Sequence, residues 1–366
     1  MTSDNKRLTR RSLLAAAAAA TAAPAAVKTM HQGRPALVLK GDRAGLVVDL
    51  LGGSFVDFRL ASKDLNPLVW ANEGPTGEAR SMSHFLCLDR WGLPSEAEKA
   101  NGMPGHGEAT KVPWTTLREP ARQGRFIEAA LSARLPMAGL RVERTVRLSA
   151  EGTAFHVEET VTNENKLGRI YNMVQHPTVG PPFLDEDTVV DSNARQGFMQ
   201  SSPMPNPEHP TVVWPQALQG AQPVDLRRLH DDPLPNVVSY VLDEEMGWVT
   251  AASPSKGLLV GYVWKTAEYP WLSMWRHVAD SKPLARGLEF GTTGLHQPYG
   301  ILVEKGRIFG RKLFDHLDTG ESKTRSFTGF LAEIPSDFQG VQKVTADDRK
   351  ATILPLGAGP AIEVTL

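Results

Sequence analysis

From residue 36 onward, apolar and polar positions alternate in short runs separated by turn residues. The stretch ALVLKGDRAGLVVDLLGGSFVDFRLAS breaks at Gly41-Asp42 and again at Gly52-Gly53, which predicts three strands joined by tight turns. Further along, Val142, Thr145 and Val146 precede a turn at Ala150-Glu151-Gly152, and Phe155, Val157, Thr160 and Val161 follow it. Spacing close to two and frequent β-branched residues are what a half-buried antiparallel sheet requires. GLLVGYVWKTA, GILVEKGRIFGRKL and KTRSFTGFLAEI share this character. Helical patterns are few; SDFQGVQKVTADDRKATI near the C-terminus is the best short candidate. The proline-rich, polar stretch SSPMPNPEHPTVVWPQALQGAQPVD reads as a long surface loop. No composition break and no internal repeat divides residues 35–366. The expectation is an all-β chain: one large antiparallel β-sandwich with few short helices over residues 31–366. A barrel and two abutting sandwiches are the alternatives.

The first thirty residues follow another pattern. KRLTRRSLLAAAAAATAAPAA has a basic start, an apolar run from Leu13 to about Ala23 and small residues near Ala26. The paired Arg10-Arg11 before Ser12-Leu13-Leu14 gives residues 1–30 the look of a twin-arginine export signal. The run is too short and alanine-rich for a comfortable membrane span, and no other segment reaches about 18 apolar residues. The expectation is therefore an exported protein, periplasmic or extracellular, with no membrane attachment once the signal is removed. Cys87 is the only cysteine, so no internal disulfide and no cysteine-rich metal site can form. With 40 Lys+Arg against 41 Asp+Glu, no basic face for nucleic acid is implied.

Reactive groups concentrate in four places. CLDRWGLPSE carries Asp89, Arg90 and Trp91. PGHGEATKVPW carries His106 and Glu108, with glycines on both sides of the imidazole that remove side-chain bulk and leave it open to approach. TNENKLGRIYNMVQHPTVGPPF reads as a strand delivering His176. YPWLSMWRHVADSKPLARGLEFGTTGLHQP holds Trp271, Trp275, Arg276, His277, Glu289 and His296. None of these spacings is that of a metal site, and HGE lacks the second histidine of a helical zinc motif.

Read in order, these blocks resemble the aldose 1-epimerase (galactose mutarotase-like) superfamily. CLDRWGLPSEAEKANGMPGHGEATKVPW is similar to the family's tryptophan- and proline-rich loop leading to His-Gly-x-Ala. LRVERTVRLSAEGTAFHVEETVTNENKLGRIYNMVQHPTVG is similar to its hairpin and histidine strand, and ARGLEFGTTG to its glutamate strand. LLGGSFVDFRLASKDLNPLVWAN is similar to its first hairpin, so the likeness runs across most of residues 36–300. The resemblance implies a supersandwich fold and interconversion of sugar anomers without metal or organic cofactor. It implies Glu289 as general base, His176 as general acid and His106 as a second histidine that binds sugar hydroxyls, with Arg90 as a weaker candidate for a binding arginine. Acid and base are expected on opposite sides of the sugar ring, each within roughly 3 Å of its proton partner. Trp91, Trp271 and Trp275 would offer faces to sugar C–H groups. Asp191, Arg276 and His296 are further candidates for lining the cleft, and Glu108 is the one obvious carboxylate partner for Glu289. HPTVGPPF and EFGTTGLHQP depart from the usual galactose mutarotase pattern, which points to a different sugar. The expected partner is a small sugar or sugar derivative, the chain being a monomer or homodimer. The rivals are a carbohydrate-binding protein without turnover and a lyase or glycoside-cleaving enzyme on the same scaffold.

Overall fold

The computed structural model describes residues 29–228, 236–280 and 282–366. The expected export signal, residues 1–30, lies outside them apart from residues 29 and 30; Met30–His31 forms a short strand against Arg34–Lys40. A larger antiparallel sheet of twelve strands and a second of eight face each other, and three C-terminal strands form a small third layer. In the larger sheet the strand Arg169–Val179 runs between His84–Asp89 and Lys282–Gly291, followed by Trp271–Ala279 and Asn236–Val241. In the second sheet, Leu140–Ser149 and Ala154–Asn163 form the hairpin whose turn falls at Ala150-Glu151-Gly152.

The core lies between the two sheets. Leu86, Leu88, Tyr171, Met173, Leu272, Met274, Leu288 and Phe290 enter it from the larger sheet. Val142, Val146, Phe155, Val157, Val260, Tyr262, Phe327 and Leu331 enter it from the other. Each such side chain removed from water contributes roughly 1.5–3 kcal/mol. Period two then turns the intervening residues of the larger sheet, including Phe85, His176 and Glu289, to its outer face. The face that carries these residues is thus the back of the core face.

Two expectations need correcting. The terminal segment read as a helix is a hairpin of Val341–Ala346 and Lys350–Pro355. A bulge between Val341 and Lys343 brings Val341 and Val344 to one face against the second sheet. The segment read as a surface loop carries the strands Val212–Val213, Gln216–Gln219 and Gln222–Asp225, and buries Val212 and Ala217 in the core. Helices are short: Glu96–Ala100, started by a Ser95/Glu98 capping box, and Tyr299–Lys305. No helix among the described residues is long and apolar enough to cross a membrane.

Candidate functional site

Strand register builds the floor of the site. His176 pairs with Phe85 on one side. The register that pairs Gln175 with Phe290 and Thr178 with Gly287 sets His176 opposite Glu289 on the other. Glu289 in turn pairs with Ser273. Directly opposed residues on one face of a sheet have Cβ atoms about 5 Å apart. His176 Nε2 accordingly lies 3.1 Å from Glu289 Oε1. The second carboxylate oxygen accepts a hydrogen bond from Trp91 Nε1 at 2.5 Å. His176 Nδ1 lies 3.0 Å from the Thr178 hydroxyl, and the ring stacks on Phe85 with centroids 4.1 Å apart. Acid and base candidates are therefore side by side, not on opposite sides of a ligand as the sequence led us to expect. A Cβ on Gly287 would come within 3.0 Å of Glu289 Oε1 and 3.3 Å of His176 Cε1, so its missing side chain keeps room for the pair.

Above this floor is a cavity of about 310 Å³ walled by the rings of Trp70, Phe85, Trp91 and Trp275, with His106 and His296 at one end. His106 has φ 62 and Gly107 φ 74. A Cβ on Gly107 would sit 1.8 Å from the Leu88 carbonyl oxygen, and Leu88 and Gly107 form a parallel bridge. That glycine lets the loop dock on the sheet rather than exposing the imidazole. His106 Nδ1 ends up buried without a hydrogen-bond partner. Gln200 holds the opposite loop: its side chain donates to the Gly294 carbonyl and accepts from the His296 N–H.

Burial governs protonation. The Glu289 carboxyl is pushed up to about 8 by desolvation, which the Trp91 hydrogen bond only partly opposes. His176 is held well below the usual imidazole range, first by burial and then by His106. His106 is lowered to about 4 by burial and by the neighbouring His296, and burial lowers His296 too. The Glu289 and His176 shifts both favour the neutral forms of the carboxyl group and the imidazole near pH 7. Neither Lys nor Arg is among the cavity's described lining residues.

Six of the eleven candidates meet here: His176, Glu289, His106, Trp91, Trp275 and His296. The other five do not line the cavity. Arg90 is buried in ion pairs with Asp89 and Glu98. Glu108 points away from His106 and accepts hydrogen bonds from the Met137 and Ala138 N–H groups. Trp271 shares a face with Trp275 but is covered by Phe198, Leu295, Leu302, Ile308 and Leu313. Asp191 lies in the second sheet, paired with Arg227 and the Val341 N–H. Arg276 is on the core face of its strand and donates to Asn236. Sequence reasoning passed over Trp70, Asn72, Ser81, Phe85 and Val237. Phe85 was the most accessible of these, since it alternates with core-facing Leu86 and Leu88. No group of three or more His, Cys, Asp or Glu among the described residues could hold a metal ion.

The fold and the face that carries this site define a galactose mutarotase-like β-sandwich. A galactose mutarotase-like protein from Clostridium acetobutylicum superimposes with a TM-score of 0.61 at 13% identity, over 84% of this chain and 98% of that one. A candidate aldose 1-epimerase from Escherichia coli K12 gives 0.57 at 17% identity, over 82% and 99%. A galactose mutarotase related enzyme from Lactobacillus acidophilus gives 0.57 at 12%, over 82% and 98%. At these identities the likeness is one of fold. No curated protein matches the chain. By sequence it belongs to the family described as a domain of unknown function, DUF4432, which matches residues 86–309 and so takes in all six cavity residues named above.

Proposed function

We propose that the protein interconverts the anomers of a free, uncharged sugar, using Glu289 and His176 as one acid–base unit. The observation that carries this reading is their contact at 3.1 Å, in an aromatic-walled cavity that keeps both groups neutral. Anomer exchange moves two protons at oxygens bonded to the same carbon, so an adjacent donor and acceptor suit it. His176 Nε2 accepts the proton of the anomeric hydroxyl while the Glu289 carboxylic acid donates its own to the ring oxygen. The C1–ring oxygen bond breaks, leaving an open-chain aldehyde beside a carboxylate and an imidazolium. After rotation about C1–C2, the imidazolium returns its proton to the carbonyl oxygen as the ring hydroxyl attacks C1 and gives its proton to Glu289. This reverses the roles implied by the family resemblance, because burial leaves the shared proton on the carboxyl group.

His106 lines the cavity and would bind a sugar hydroxyl, and Trp275 and Trp70 offer flat faces to C–H groups. Glycoside hydrolysis is poorly supported: it normally needs two carboxylates at the scissile bond, and Glu108 is committed to backbone donors. The twin-arginine pattern at Arg10-Arg11 supports export, which fractionation of cells expressing the wild type and an Arg10→Lys, Arg11→Lys variant would test.

The decisive measurement is α/β exchange by NMR for a panel of free aldoses. Acceleration by the wild type should fall about 10²–10⁴-fold in Glu289→Gln with the fold retained. Sugar resonances that respond to the protein without any acceleration would make it a binding protein instead. The pH profile counts the protons on the pair, with rate lost as pH rises through about 8. An infrared carboxylic acid band near neutral pH, absent from Glu289→Gln, would place the shared proton on the carboxyl group.

A further inference from the structure

Two residues beyond His176, the histidine strand carries a threonine. His176 and Thr178 are two residues apart in an extended strand and so lie on the same outer face. Thr178 is fully buried, and its hydroxyl oxygen is 3.0 Å from His176 Nδ1 and 3.4 Å from the His176 carbonyl oxygen. A hydroxyl has one proton to give. If it goes to the carbonyl, the hydroxyl oxygen is left to accept from Nδ1–H. A hydroxyl so placed favours a proton on Nδ1, which leaves Nε2 with its lone pair facing Glu289 Oε1.

We propose that Thr178 is a positioning residue that fixes the tautomer of His176, holding the proton on Nδ1 so that Nε2 is the bare acceptor toward Glu289 and the ligand. The proposal rests on the acid–base reading above and adds the group that orients it. A neutral imidazole with the proton on Nε2 has no lone pair at that nitrogen and could not accept the proton of an anomeric hydroxyl there. Strand geometry makes the arrangement rigid: the Thr178 N–H is bonded to the Ser83 carbonyl, and Pro177 sits between the two residues.

The test uses the full chain, labelled with ¹⁵N-histidine, as wild type, Thr178→Val and Thr178→Ser. Valine keeps the β-branched shape and removes the hydroxyl; serine keeps the hydroxyl. In the wild type, His176, assigned by its loss in His176→Gln, should show a protonated Nδ1 and a pyridine-type Nε2. Thr178→Val should lose that preference and lower kcat at least about tenfold with KM little changed, and Thr178→Ser should restore both. A wild-type spectrum with the proton on Nε2 overturns the proposal. So does a valine variant with unchanged nitrogen shifts, or a serine variant no better than valine. Should the valine variant fail to fold, the wild-type spectrum still decides. The nitrogen shifts need no turnover, so a catalytically silent wild type would sink the anomer-exchange reading while leaving the tautomer measured.

Discussion

One strand serves two buried carboxylates on opposite faces of the larger sheet. Gln175 points into the core and donates to Glu159 at 2.6 Å, where Arg144 Nε also donates at 2.6 Å. His176, the next residue, points outward to Glu289. Glu159 is fully buried and its charge is matched by a guanidinium that also stacks over Phe55 and Trp114. Glu289 is 2% exposed and has only an indole N–H and a neutral imidazole. That contrast separates a fastener from a reactive group. A buried carboxylate given a cation stays charged and ties two sheets together; one denied a cation is neutralised by a proton, which it can then transfer.

The largest effect should follow from breaking the first arrangement. Arg144→Met leaves Glu159 buried without its cation and should cost about 3–5 kcal/mol in denaturant unfolding. A loss under about 1 kcal/mol would mean that Glu159 does not depend on the pair, and the contrast with Glu289 would fall. Glu108, a third buried carboxylate, is intermediate because backbone N–H groups are its partners. Glu108→Ala should cost about 1–3 kcal/mol and leave anomer exchange per folded molecule unchanged. A specific loss of exchange would return Glu108 to the site.

At pH 5, where the protonated carboxyl group and the amide that replaces it are both uncharged, Glu289→Gln should have the smallest effect on stability, and the effect then changes with pH. The folded-state pKa of Glu289 is raised, so between the unfolded value near 4.5 and about 8 the folded protein binds the extra proton. Its favourable contribution is complete below about 4.5 and is lost as pH rises through 8. The amide that replaces the carboxyl in the variant does not titrate, so the melting temperature of Glu289→Gln relative to wild type should improve steadily from pH 5 to pH 9. A difference independent of pH would show that Glu289 is not protonated in the fold. The lowered histidines act in the opposite direction: His106, at about 4, contributes stability above its ordinary range that fades as pH falls toward 4. Comparing wild type with the variant at each pH cancels that background.

The sandwich was legible because alternation is a local property, and the hairpin turn at Ala150-Glu151-Gly152 lies where the apolar pattern breaks. It failed at Val341 and Val344, where a bulge shifts the phase of the alternation, and in residues 201–225, where polar, proline-rich composition hides short strands. His176 and Glu289 were singled out through the family resemblance of the blocks that carry them, and both line the cavity. Their contact was not foreseen, because it depends on the register of strands more than a hundred residues apart.

Sequence alone determined that residues two or four apart in a strand share a face, as Trp271 does with Trp275, although Arg276 was also assigned to the cleft and proves to lie on the opposite face. Only the tertiary structure decided which of those faces stays open. Trp271 is sealed by residues 295–313 while Trp275 borders a cavity, and Glu159 receives an arginine while Glu289 receives none. The physical reason is one of range. Side-chain alternation follows from the backbone of a few consecutive residues, whereas covering a face or pairing a charge requires segments distant in sequence to arrive at one place.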